Sequence, residues 1–185
     1  MKIKTANYTD DKELNEISNI IYKKFKESKK EKIVIVNIGT SRIVGDIIGP
    51  LTGSFLIESD SKLAIYGTMN NPLAASILNE KFTEIEKIHK NDFIIAIDAC
   101  ISLDKKDKNG TIILKDTPIK PGYGLGKNLK SIGDLSITAV TLETNKDENN
   151  MSRLIKLNKV PFDFAVEISM SIKKLILNIE RKIIN

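Results

Sequence analysis

Two almost uninterrupted apolar runs most constrain what this chain folds into. Ile33 to Ile38 reads IVIVNI, and Asp92 to Asp98 reads DFIIAID. Runs of this kind, without regular polar alternation, are typical of strands covered on both faces, as in a parallel sheet flanked by helices. Asp98 closes the second run, and Asp46 follows the first after a short glycine-containing loop. The sequence therefore predicts a buried sheet with one acid beyond each of two strands.

Helical segments are predicted between and around these strands. The first helix is predicted to be capped by Asp10, with Glu13 three residues later, and to pack on the sheet. Proline at the first turn predicts helices from Pro50 to about Glu58 and from Pro72 towards Ile88. Two further helices are predicted from about Asn150 and Pro161, the last with one apolar stripe formed by Ala165, Ile168, Ile172, Leu175, Ile179 and Ile183.

Shorter apolar segments complete the predicted sheet: KLAIYGT (62–68), GTIILKD (110–116), a less certain TPIK (117–120) and SITAVTL (136–142). Alternating strands and helices indicate the α/β class, as a three-layer α/β/α sandwich around a mostly parallel sheet. We expect one domain over residues 1–185, with an N-terminal helix within 1–30 packed on the sheet and C-terminal helices in 150–185.

Composition narrows the classes of partner. The chain has 185 residues, 29 basic against 24 acidic, and part of the basic excess lies in Tyr22 to Lys32. Lysine-rich helix ends are usually a solvated face, so a nucleic-acid partner is not favoured. Cys100 is the one cysteine, which excludes an intramolecular disulfide, and no segment is apolar for long enough to span a bilayer. We expect a cytoplasmic protein without a membrane partner, and the sequence is compatible with a homo-oligomer.

Asp46 and Asp98 are the strongest candidates for chemistry. Sites in open α/β sheets form beyond the carboxyl ends of the strands. If the strand at Ile33 lies between the other two, the loops bring both carboxylates to one crevice, since neighbouring strands are about 4.8 Å apart. Two close carboxylates share a proton, leaving one as base and one as acid to add water to an amide carbonyl. The structural alternatives are that Asp46 caps the Pro50 helix, or that both acids pair with lysine or arginine.

Other reactive residues are weaker candidates. His89 precedes the strand that ends in Asp98, so we expect a surface residue remote from both aspartates. Cys100 lies two residues after Asp98 and is interpreted as a small packed hydrophobe. Ser41 and Arg42 precede Asp46 and are candidate substrate contacts.

The segment from Lys120 to Asp134 is too rich in glycine for a helix or a central strand. Its GYGLGKN sequence is neither a P-loop nor a dinucleotide fingerprint. We interpret it as a wall of the crevice that binds a peptide or an oxyanion through Gly124, Gly126 and Lys127. Asp134 is interpreted as structural.

Four segments carry a resemblance to a known family: GTSRIVGDIIGPLTG, YGTMNNP, FIIAIDACI and PGYGLGKNLKSIGDLSIT. In order and spacing they resemble the signature segments of the YyaC-type sporulation proteins of spore-forming Firmicutes, over roughly Lys32 to Leu142. That family resembles the germination protease, which degrades small acid-soluble spore proteins, and more distantly the hydrogenase maturation endopeptidases. The resemblance implies a phosphorylase/hydrolase-like α/β/α fold and a peptidase-like crevice.

The resemblance also assigns roles to residues. Asp46 in GDIIGP and Asp98 in AIDA match the two catalytic aspartates of the germination protease, and Lys127 is similar in place to a lysine of its glycine-rich loop. The hydrogenase enzymes hold nickel with two acids and a histidine. Here YGTMN offers no second acid and Tyr123 stands where the histidine would be, so we expect no nickel site of that type and no cofactor.

Together with the two aspartates, the resemblance implies a sporulation-associated peptidase in the sporulating cell or spore, acting on a peptide or spore protein. Two alternatives remain open at this point. One is a non-enzymatic peptide-binding or regulatory module on the same fold. The other is a hydrolase of a different amide, such as a peptidoglycan fragment or a small molecule, because fold-level resemblance does not establish chemistry.

Overall fold

The structure is a computed structural model that describes residues 2–103, 107–121 and 130–184. The strands are β1 (Lys2–Asn7), β2 (Ile33–Asn37), β3 (Ala64–Tyr66), β4 (Phe93–Ser102), β5 (Thr111–Lys115) and β6 (Leu135–Glu143). The helices are α1 (Asp11–Ser28), α2 (Ile48–Glu58), α3 (Leu78–Ile88), α4 (Asn150–Asn158) and α5 (Phe162–Ile184), with a 3₁₀ turn at Val44–Asp46. None of these described helices is both long and apolar enough to cross a membrane.

The strands form one mixed sheet in the order β1-β5-β6-β4-β2-β3. The pairs β6-β4, β4-β2 and β2-β3 are parallel, whereas β5 runs antiparallel to both β1 and β6. The predicted mostly parallel sheet is confirmed, and β2 lies between β3 and β4 as expected. The carboxyl ends of β2 and β4 are therefore neighbours at one edge of the sheet.

Helices cover both faces of the sheet. Alternate residues of a strand point to opposite faces, and the buried side chains of β2 divide accordingly. Ile33 and Ile35 pack in the core cluster that contains α1, α2 and α5, while Val34 and Val36 pack in the cluster that contains α3. The α/β class with helices on both sides of the sheet is thus confirmed.

Helix α2 approaches the end of β2 very closely. A Cβ atom on Gly49 would lie 2.1 Å from the main-chain oxygen of Ile38, so only glycine fits there without displacing the helix. Pro50 lies in the first turn of α2, where its missing N–H costs no helical hydrogen bond. This tight packing fixes the short connection from β2 to α2, which carries Asp46.

Helix α1 confirms its predicted cap, because the Asp10 carboxylate accepts a hydrogen bond from the Glu13 N–H. Strand β1, before it, was not predicted. Its sequence KIKTAN is polar, and β1 is an edge strand that, among the described strands, pairs with β5 only. An edge strand buries little of its surface, so its sequence lacks the apolar run that marks β2 and β4.

Three other expectations differ from the structure. Helix α3 begins at Leu78 rather than at Pro72, because Leu73 is buried and bridges Ile38 at the end of β2. TPIK forms one isolated bridge, between Ile119 and Ile132, instead of a strand. Ile183 is 38% exposed, so the buried stripe of α5 ends at Ile179.

Candidate active site

Asp46 ends the 3₁₀ turn that connects β2 to α2. Its N–H donates to the Ile43 carbonyl and its carbonyl accepts from the Thr40 N–H, so main-chain bonds close the loop around it. Gly39 has φ +141°, and a Cβ atom there would lie 2.2 Å from the Asp46 carbonyl oxygen. The alternative that Asp46 is the N-cap residue of the Pro50 helix is wrong, because Ile47 occupies the N-cap position of α2.

Asp98 lies within β4, at the level where the neighbouring strand β2 ends. The last residue pair between these strands joins Asn37 and Ile97, and β4 then continues to Ser102 paired with β6. The expectation that the strand ends at Asp98 is therefore wrong, since pairing with β6 extends it. The Asp98 side chain is buried, with the residue 7% exposed.

One cavity of about 680 Å³ contacts both aspartates. The pKa of Asp98 is held well above its ordinary value, first by burial and then by the negative charge of Asp46, while a hydrogen bond from the Ala99 N–H opposes the shift. No basic side chain of the described residues contributes to this shift. The structure thus brings together a half-buried acid and a buried acid that favours its neutral, protonated form.

The remaining wall of the cavity is partly polar and partly apolar. Ser136 and Thr138 of β6 contact it, as do Lys115 of β5 and Lys120. Sequence reasoning did not single these residues out. The sequence pattern could have indicated two of them. Ser136 and Thr138 are polar residues that alternate with buried apolar residues in a central strand. The apolar part includes Ile101, Leu103 and Ile119.

The loop that carries Asp46 is supported from β6 and α4. Gly45 is buried against Leu157 of α4, whose Cδ2 would be 2.6 Å from a Cβ atom on Gly45. The pairing of β4 with β6 shifts register at Thr141. Cys100 of β4 pairs with Val140, but the next residue, Ile101, pairs with Leu142, so Thr141 lies between the two paired positions of β6. Its hydroxyl donates to the Gly45 carbonyl. No motif in the sequence indicates this support.

Cys100 contacts the same cavity as Asp98. Burial, the largest cause, raises the pKa of its thiol to about 11, although Thr138 and Lys115 oppose the shift. A thiol with such a pKa is almost entirely protonated near neutral pH and is a poor nucleophile.

Two of the predicted substrate contacts, Ser41 and Arg42, lie away from the cavity wall. Both residues are exposed. Gly124, Gly126 and Lys127, together with Tyr123, lie outside the described residues. Asp134 accepts hydrogen bonds from the Ile94 N–H and from Lys30 Nζ, in agreement with its structural interpretation.

His89 lies before the amino end of β4, as expected, but the interpretation as a surface residue is wrong. Only 13% of its side chain is exposed. Nε2 lies 2.8 Å from the Tyr66 hydroxyl, and Nδ1 lies 2.7 Å from Asp92 Oδ2. These contacts hold the end of α3 against β3. The described part of the chain contains no group of three His, Cys, Asp or Glu residues placed to hold a metal ion.

The fold and the cavity define an α/β protein with two interacting carboxyl groups near the carboxyl edge of its parallel strands. Residues 5–171 match the family described as "Protein of unknown function (DUF1256)". Because the match covers most of the sequence, the chain belongs to this family.

Two relatives are similar over parts of their length. The chain is 36% identical over 136 residues to "Uncharacterized protein YyaC" of Bacillus subtilis (strain 168), covering 73% of this chain and 65% of YyaC. It is 26% identical over 129 residues to the germination protease of Geobacillus sp. (strain WCH70), covering 62% of this chain and 34% of the protease. These matches confirm the resemblance to YyaC and to the germination protease.

Among solved structures, the fold is similar to that of the [NiFe] hydrogenase maturation protease HycI from Thermococcus kodakarensis KOD1. The TM-score is 0.49 at 20% sequence identity, over 85% of this chain and 99% of that chain.

Proposed function

We propose that this protein is a sporulation-associated peptidase that hydrolyses a peptide bond with water activated by Asp46 and Asp98. The observation that carries the proposal is the placement of both carboxyl groups at one cavity, with the charge of Asp46 raising the pKa of buried Asp98. The similarity to a germination protease supports a peptide or spore protein as substrate. The proposed location is the cytoplasm of the sporulating cell or the spore interior.

The unequal environments of the two acids assign them different roles. Asp46 is the more exposed, and its carboxylate takes a proton from a water molecule whose oxygen attacks the carbonyl carbon of the peptide. Asp98, held in its neutral form by burial, gives its proton to the carbonyl oxygen. The products of this step are a tetrahedral diol, a protonated Asp46 and an ionised Asp98.

Collapse of the diol completes the reaction. The proton on Asp46 passes to the peptide nitrogen as the carbon–nitrogen bond breaks, and a diol hydroxyl returns its proton to Asp98. One water is consumed, one carboxylic acid and one amine are formed, and both aspartates regain their starting states. Lys115 and Lys120 contact the same cavity, where their positive charge favours a negatively charged group of the substrate.

Mass spectrometry of a broad peptide pool, and of peptides from a sporulating lysate, tests this function. Asp46→Asn and Asp98→Asn each keep the side-chain size but remove a proton-transfer group, so we expect cleavage to slow by about 10²–10⁴-fold. Asp60→Asn is the matched control, because Asp60 is exposed in a turn with φ +53°, a conformation that asparagine tolerates. Circular dichroism checks that each variant is folded.

Cleavage that persists unchanged in the double variant removes the aspartates from the chemistry. Absence of cleavage by the wild-type protein across the whole pool contradicts the peptidase function and favours a binding module.

A further inference from the structure

In the second half of β4, described strands pair along one edge only. Its first five residues, Phe93 to Ile97, pair with β2 and define the centre of the sheet. From Asp98 to Ser102 it pairs with β6, and no strand of the described residues pairs along its other edge. An unpaired edge presents main-chain N–H and C=O groups that accept an additional strand.

The hydrogen bonds on either side identify which groups face that edge. The Ile97 carbonyl accepts from Ile38 on the β2 side, whereas the Ser102 carbonyl accepts from Thr144 on the β6 side. Main-chain groups of successive residues point to alternate sides of a strand, so Ala99 and Ile101 direct theirs to the unpaired edge. The Ala99 N–H already bonds to the Asp98 carboxyl group.

The cavity contacts four successive residues of this half of β4: Asp98, Ala99, Cys100 and Ile101. Since β6 pairs along one edge of this half, a ligand in the cavity lies beside a strand whose other edge is paired with no strand of the described residues.

The chemistry of the cavity indicates the side chains that fit it. Ile101, Leu103 and Ile119 form an apolar region. Lys115 and Lys120 also contact the cavity, and neither forms an ion pair with an acid of the described residues. The cavity therefore combines positive charge with an apolar wall. This combination complements a ligand that carries an acidic side chain next to an apolar one.

We propose that the substrate is bound as an extended peptide segment that adds a strand along Asp98–Ser102, with an apolar and an acidic side chain directed into the cavity. This inference rests on the proposed function for the position of the reacting bond. In an added strand, main-chain hydrogen bonds supply affinity and alternate side chains supply specificity. Pairing along this segment places the peptide main chain directly beside Asp98.

The test measures binding separately from cleavage. A pool of end-blocked decapeptides is exposed to the Asp46→Asn/Asp98→Asn double variant, and the retained peptides are identified by mass spectrometry. The tightest binder is then resynthesised with one N-methyl group at each position in turn. Because only alternate residues of an added strand pair with β4, we expect methylation to weaken binding by about 10-fold at every second position of the paired segment. Methylation at the positions between should change binding by less than about 3-fold.

A second measurement uses the Asp46→Asn single variant, which retains Asp98 and is expected to cleave the bound peptide only slowly, so it does not depend on the double variant. Amide hydrogen exchange at Ile101 should slow at least 10-fold when the same peptide binds, while exchange at Ile97, already in the sheet, should not change. Lys115→Met and Lys120→Met should weaken acidic peptides selectively, and Lys23→Met, on the exposed surface of α1, is the matched control.

The outcomes separate this inference from the proposed function. Loss of the two-residue pattern, unchanged exchange at Ile101, or no retained peptide overturns the added strand, even if the wild type cleaves peptides. A two-residue pattern without wild-type cleavage supports the added strand and contradicts the peptidase function.

Discussion

The hydroxyl of Thr141 donates a hydrogen bond of 2.9 Å to the main-chain oxygen of Gly45, the residue before Asp46. Both residues are buried, and Thr141 is 2% exposed. The bond therefore connects the central strand β6 to the turn that carries one of the two acids, and it makes Thr141 a positioning residue in the proposed mechanism.

Thr141→Val tests this role. Valine keeps the shape of threonine but cannot donate, so the Gly45 carbonyl loses a buried partner at a cost of about 1–3 kcal/mol. We expect slower peptide cleavage and a displaced pH profile, because the distance between Asp46 and Asp98 is no longer fixed. Thr141→Ser retains the hydroxyl and should recover most of the activity. Equal loss in both variants, with an unchanged pH profile, would assign Thr141 a purely structural role.

The raised pKa of Asp98 also predicts how stability depends on pH. The unfolded carboxyl has a pKa of about 3.9, and burial holds the folded value above it. Between these values the unfolded state binds fewer protons than the folded state, so the contribution of Asp98 to the free energy of unfolding falls as pH rises. The contribution is complete below the unfolded pKa and is lost above the folded one.

Asp98→Asn removes this pH-dependent loss of stability, because asparagine does not ionise. Thermal melts should show the variant more stable than the wild type at pH 8, by about 2–4 °C for each kcal/mol recovered, with the difference shrinking towards pH 3. Asp60→Asn, at an exposed turn, is the control for the substitution itself. A variant that melts below the wild type at pH 8 is inconsistent with a buried acid that opposes ionisation.

Much of the fold follows from residue patterns, and the failures have physical causes. The apolar runs at Ile33 and Phe93 predict the buried strands because both faces of each are covered. Asp10 and Glu13 predict the start of α1 because capping is a local interaction. Strand β1 was missed because an edge strand buries too little surface to need an apolar sequence.

The site was predicted only in part. Asp46 and Asp98 could be placed together on the condition that the strand at Ile33 lies between the other two, which is the order in the sheet. The pairing of β6 with β4 beyond Asp98 depends on contacts between distant residues, which leave no local signal. The same holds for Thr141 and for His89, whose hydrogen bonds to Tyr66 and Asp92 exist only in the folded chain.

Cys100 offers a test of an alternative nucleophile. Its pKa of about 11 predicts slow alkylation by iodoacetamide near neutral pH and a rate that rises with pH up to that value. Cys100→Ala should retain peptide cleavage, since the proposed mechanism uses no thiol. Rapid alkylation at pH 7 that abolishes cleavage, together with an inactive Cys100→Ala variant that is folded, would contradict the assignment of the chemistry to the aspartates.

The most direct test of the central claim is a titration of the carboxyl carbons of Asp46 and Asp98 by carbon-13 NMR, in the wild type and in Asp46→Asn. The account predicts that Asp98 titrates well above the ordinary value of about 3.9 in the wild type. In Asp46→Asn its pKa should fall, because the negative charge is gone, but it should stay above the ordinary value because burial is the larger cause. An Asp98 that titrates at its ordinary value, or whose pKa does not change when Asp46 is replaced, would contradict the claim that the two acids act as a pair.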